Sequence, residues 1–269
     1  MRELTARLKS GLFNGGSAYS ERPSPAMCHA MRSLTLVLVM AAACSGNTTP
    51  PDAGPVVDTS CGLDCAAQER FGLIAGRCFE YSDTTSTASP PALAAEVKSK
   101  IELEGGIPVM QVVYTSGGQR RQQDSFTIVN GELKLVRREF GAGGTSVSYK
   151  DTAMALEGVR WLATSTAPGE NLTSTSSADV VTPGARMSEA TSYRVTTSAA
   201  TGTDLRFPIG TFDAGVRMLI NETPDHGSDS RRTWVPGVGF ALITTPLVLT
   251  GGTPLEYQLQ NIKDTADAG

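Results

Sequence analysis

Histidine is almost missing from this chain: His29 and His226 are the only two among 269 residues. That leaves little imidazole for metal or proton-transfer chemistry. Charged residues are also scarce, at 19% against roughly 25% in an ordinary soluble domain. A coiled coil and a highly charged disordered tail are excluded on that ground. There is no succession of long apolar runs, so a multi-span helical membrane protein is excluded as well. A formal net charge of −4 argues against a general grip on nucleic acid. No G-x-S-x-G, Walker A, H-E-x-x-H, G-x-G-x-x-G or paired C-x-x-C pattern can be read. What the chain does have is 40% apolar residues and 54 serines and threonines, a composition that suits turns and wet strand faces.

The front end reads as an address. In Met31 to Cys44 (MRSLTLVLVMAAAC), Arg32 gives a positive start and Ser33 to Ala43 is an uncharged run of eleven residues. As a helix that run covers about 16 Å, short of the roughly 30 Å hydrocarbon core. Three alanines followed by cysteine resemble the lipobox of bacterial lipoproteins, with Ala41 where that family favours leucine. The resemblance implies cleavage between Ala43 and Cys44, lipid attachment at Cys44, and anchoring to the membrane through N-terminal acyl chains. Ser45 in place of an aspartate implies delivery to the outer membrane. The alternative is an ordinary secretory signal with an incidental cysteine.

Residues 1–43 therefore read as a signal peptide behind an upstream extension from a mis-assigned start. Without them, 18 basic and 25 acidic side chains remain. Such a surface is not held on an anionic membrane by charge, so the lipid has to do the anchoring. Residues 44–60, rich in proline and glycine, form a flexible tether.

Residues 61–91 hold Cys61, Cys65 and Cys78. In an oxidising compartment thiols this close pair, stapling the entry segment to the first strand. A three-thiolate metal site is the other reading, but no fourth ligand stands nearby. A short helix is expected from Asp64 to Phe71, ended by Gly72.

Over residues 92–264 period-2 patterns dominate, outside a short helical period at Ala92–Val97. Val97, Ile101 and Leu103 are expected on one strand face. Asn130-Gly131 joins FTIV to ELKLVRR as a two-residue hairpin. Its register sets Phe126 against Leu135 and Ile128 against Leu133, with Asp124 facing Arg137 further out. Short strands follow at 147–149, 159–163, 193–197, 216–221, 233–235, 240–244 and 255–262. Thr164–Pro183 reads as a mobile polar insertion, and residues 265–269 as a disordered tail. The fold class is mostly β: an antiparallel meander of about nine strands forming an open half-barrel or sandwich, with a short N-terminal helix.

Pro208-Ile209-Gly210-Thr211-Phe212-Asp213, then Trp234-Val235-Pro236-Gly237-Val238-Gly239, then LEYQLQNI resemble a pattern in uncharacterised β-rich envelope proteins. That resemblance implies a half-barrel like those of lipoprotein carriers, and no catalytic residues. A triad built from Ser228, His226 and Asp225 or Asp229 fails because neighbours on one loop cannot aim at one another. Glu102 and Glu104 read as a wet strand face, and Arg231-Arg232 and Arg120-Arg121 as solubilising pairs. The expectation is a non-catalytic outer-membrane lipoprotein without metal or cofactor, a carrier or sensor of a hydrophobic ligand. The alternative is a structural or protein-binding envelope module.

Overall fold

The computed structural model describes residues 65–84, 93–141, 144–151, 153–244 and 255–264. Ala43, Cys44, Cys61, the tether and the tail lie outside the described residues. Cys65–Phe71 forms α1, followed by β1 (Arg77–Asp83), β2 (Leu93–Val97), β3 (Ile101–Leu103), β4 (Ile107–Ser116), β5 (Gln119–Val129) and β6 (Glu132–Phe140). Next come β7 (Thr145–Lys150), β8 (Val159–Ala163), β9 (Asn171–Thr182), β10 (Ala185–Ala200), β11 (Arg206–Phe207) and β12 (Gly210–Thr211). The last four are β13 (Gly215–Thr223), β14 (Ser230–Val235), β15 (Gly239–Thr244) and β16 (Glu256–Asp264).

The chain is mostly β, and its named strand pairs are antiparallel, as one-sided alternation requires. Local alternation carries no information about closure, and here the expectation of an open half-barrel or sandwich fails. The staves run β2-β1-β16-β15-β14-β13-β10-β9-β7-β6-β5-β4, and β4 pairs back onto β2, from Leu93 opposite Ser116 to Val97 opposite Val112. The result is a closed barrel of twelve staves, and closure removes the edges an open sheet would expose. The stave β1 belongs to the segment read as an entry, so the barrel begins before residue 92.

One stave is made of two strands. β7 pairs with Arg137–Phe140 of β6, and β8 with Glu132–Leu135 of the same strand. Between them the chain leaves the wall, and Leu156 packs with Val109 and Val136 in a small core outside the barrel. The neighbouring stave, β9, occupies most of the segment expected to be a mobile loop. It pairs with β10 over twelve residues, from Asn171 opposite Thr196 to Thr182 opposite Ala185. Its serines bind backbone where the double stave breaks: Ser174 Oγ accepts the Arg160 N–H (3.1 Å) and Ser176 Oγ donates to the Lys150 carbonyl (2.8 Å).

The Asn130-Gly131 turn forms as its sequence dictates, with both residues at positive φ (53° and 74°). Pairing runs as expected to Phe126 opposite Leu135, and there a bulge inserts Val136. Beyond it Asp124 faces Arg138, not Arg137. Ala92–Val97, read as a helical period, contains β2. Ile101 is 39% exposed on β3, off the face that buries Val97.

At the other end of the wall α1 ends in a Schellman motif. The Gly72 and Leu73 N–H groups donate to the Glu69 and Gln68 carbonyls, with Gly72 at φ +75°. A Cβ on Gly72 would lie 2.4 Å from the Val238 carbonyl oxygen, so only glycine lets α1 dock on the Pro236–Gly239 turn.

Candidate functional site

An aromatic-poor chain has put its aromatics inside. Both tryptophans and all five described tyrosines are at most 4% exposed. Twelve staves are more than the eight whose lumen side chains just fill, so large groups have to bridge the gap. Trp161 of β8 makes edge contacts with Phe126 of β5 (5.0 Å) and Phe240 of β15 (5.8 Å), and its indole N–H donates to Tyr193 Oη (2.7 Å). Arg232 of β14 lies 4.6 Å from the Trp161 ring centre and 5.0 Å from that of Phe240. It also reaches the opposite wall, donating to Tyr114 Oη (3.1 Å) and standing 3.7 Å from Asp124.

Asp124 is the carboxylate both buried arginines share. Arg138 binds it through two parallel hydrogen bonds (2.7 and 3.0 Å), and Gln122 Nε2 donates to both its oxygens. Asp124 and Arg138 are fully buried and Arg232 is 2% exposed. Burial alone would lower the Arg138 pKa, but Asp124 outweighs it and holds the guanidinium charged, above its ordinary value. Burial pushes the phenols of Tyr81, Tyr114, Tyr149 and Tyr193 up, so they stay neutral. The interior is thus a packed core of aliphatic and aromatic side chains that encloses a buried polar network. Phe126, which an open sheet would have presented on its concave face, is 1% exposed under Trp161. Arg232, read as solubilising, is part of this core.

The turn between β13 and β14 seals one mouth. Asp225 Oδ1 accepts the Gly227 and Ser228 N–H groups (2.8 and 2.9 Å). Buried Ser228 Oγ accepts from Arg138 (3.2 Å) and lies 2.9 Å from Tyr149 Oη. His226 faces away from it: Nδ1 is 2.8 Å from Glu222 Oε1 and Nε2 is 2.9 Å from Glu189 Oε1. No triad is assembled. Two carboxylates on one ring require both nitrogens to donate. Burial opposes the charge, but these hydrogen bonds outweigh it and hold the His226 pKa above its ordinary value.

The linked stability is present in full below about pH 6.5, the unfolded value, and lost as the pH rises through the higher folded one. Between about pH 6 and about pH 9 the wild type is expected to lose about 2–4 °C of Tm for each kcal/mol released. His226→Gln should flatten that slope, and parallel slopes in the two proteins would remove His226 as its source.

Among the described residues a groove of about 630 Å³ lies on the outer wall, across β10, β13, β14, β15 and β16. The register builds its floor. One row runs Ser198, Arg217, Thr233, Leu242, Gln258 across five adjacent staves. The next holds Thr196, Leu219 and Arg231. Leu219 is 45% exposed at an outward position where its neighbours along β13 are Arg217 and Asn221.

The segment between β10 and β13 makes the groove's side. Buried Leu205 anchors it, sitting where a Cβ on Gly215 would fall (2.7 Å), while Phe207 packs against Phe212 with tilted rings 6.0 Å apart. The Pro208–Asp213 stretch supplies the β11–β12 hairpin that carries Arg206 and Phe207 to the rim. Asp204 pairs with Arg217 across the groove (3.4 Å).

Of the other cysteines, Cys65 opens α1 and Cys78 is 2% exposed on β1, and neither is a free thiol. Among the described residues no group of three or more His, Cys, Asp or Glu is placed to hold a metal, and no helix is long and apolar enough to cross a membrane. Glu132, Lys134, Arg194, Arg217, Arg231 and Lys263 point outward from the wall, the reverse of the polarity of a barrel that spans a bilayer. No family model, curated protein or solved structure matches this chain.

Proposed function

We propose that this protein is a non-catalytic carrier or sensor of a hydrophobic ligand, held at the outer membrane by acyl chains on Cys44. The binding site in this reading is the outer groove. Exposed Leu219 on its floor carries the proposal, with Leu242 and Phe207 also lining the groove. Small-molecule sites are concave, with apolar lining and a few placed polar groups, and this groove offers that combination.

Native mass spectrometry of the purified full chain, followed by solvent extraction, tests it. The expected result is an added mass that extracts as a lipid and disappears in Leu219→Asp. That outward residue can change without disturbing the packed lumen. An unliganded mass for both proteins would overturn the carrier and favour the protein-binding module, which needs no cavity.

The anchor has its own test. Charged side chains stand at outward positions of the described wall, so attachment in this reading depends on residue 44. Cys44→Ala is expected to move the protein from the membrane fraction to the soluble fraction, and a protein that stays membrane-bound would end the lipobox argument. Pairing of Cys65 with Cys78 belongs to the same picture, tying α1 to the first stave in an oxidising compartment.

A further inference from the structure

The groove has a charge as well as an apolar floor. Arg206, Arg217 and Arg231 line it against Asp204 and Glu256, in a chain whose overall balance is acidic. Arg217 is paired with Asp204. The side chains of Arg206 and Arg231 have no hydrogen-bond or ion-pair partner among the described residues, and Glu256 is engaged by the Thr84 hydroxyl (3.2 Å). Register places Arg217 and Arg231 diagonally on adjacent staves, with Leu219 next to both: two residues from Arg217 along β13 and directly opposite Arg231 on β14. Such diagonal positions are about 7–8 Å apart, within reach of one shared anion for side chains as long as arginine. Arg206 comes over from the hairpin.

Resting on the reading of the groove as a ligand site, we infer that its ligand is an acidic amphiphile. A phosphate or carboxylate head is held among Arg206, Arg217 and Arg231, with the chain lying along Leu219 and Leu242. Guanidinium forks match the paired oxygens of either head.

Titrating the full chain with dodecyl phosphate, dodecanol and inorganic phosphate tests the inference. Dodecyl phosphate should bind at least about tenfold more tightly than dodecanol. Its affinity should drop about 5- to 10-fold in Arg231→Gln, a change at an exposed side chain that leaves Tm where it was. Added salt should weaken the phosphate and leave the alcohol unchanged. Equal binding of phosphate and alcohol overturns the acidic head and leaves the hydrophobic-ligand reading standing. Inorganic phosphate binding as tightly as dodecyl phosphate overturns the amphiphile, because the head alone is then the ligand. No binding of either dodecyl compound overturns both readings.

Discussion

Asp124→Ala is expected to cost about 3–5 kcal/mol, a large share of the roughly 5–15 kcal/mol that holds a domain folded. The carboxylate is completely buried and accepts from Arg138 at 2.7 and 3.0 Å, with Arg232 at 3.7 Å. Removing it leaves two guanidiniums inside the barrel with no anion between them. Ring faces of Trp161 and Phe240 under Arg232 soften the loss without cancelling it. The cost comes from uncompensated charge, so removing the charges together should cost less. Asp124→Leu combined with Arg138→Met and Arg232→Met is expected to be more stable than Asp124→Ala alone, since a matched apolar set is often neutral against a buried ion pair. Urea unfolding of the single and triple variants decides it. A triple variant that loses as much as the single, or more, would mean that shape at these positions outweighs charge.

The sequence made the local pieces legible wherever one strand face was apolar and the other wet. The Asn130-Gly131 turn forms at its expected position, and β8 occupies the expected 159–163. Gly72 ends α1 because the chain there needs a left-handed residue and has only one. Closure was not legible, since the pairing of β2 with β4 joins residues whose alternation is the same in an open sheet and a barrel.

β9 was hidden for a different reason. Its polar-rich face includes Ser174 and Ser176, which bind main-chain groups of the broken stave, so neither side of the strand showed an apolar alternation. The shift of Asp124 from Arg137 to Arg138 follows from one inserted residue, which no pattern of apolar positions announces.

The candidate groove was legible in fragments only. The Pro208–Asp213 motif marked a turn, but not that the turn overhangs the wall beside Leu219. Arg231 and Arg232 look alike in sequence, and their adjacency on a strand sends one to the groove and the other into the lumen.

Trp161→Ala is expected to cost a comparable 3–5 kcal/mol or so. The indole touches Phe126 and Phe240, carries Arg232 on its face, and gives Tyr193 its hydrogen bond. Trp161→Phe keeps most of the packing and loses the donor, so roughly 1–3 kcal/mol is expected there. The alanine variant also tests whether the lumen is filled. A dry cavity left by a large aromatic accepts a small aromatic guest, and indole added to Trp161→Ala should restore part of the lost Tm. The wild type has no such space if the residue packs as described, and indole should leave its Tm unchanged. Equal stabilisation of both proteins would mean that the barrel keeps room inside, and the ligand would then have to be sought in the lumen and not on the wall.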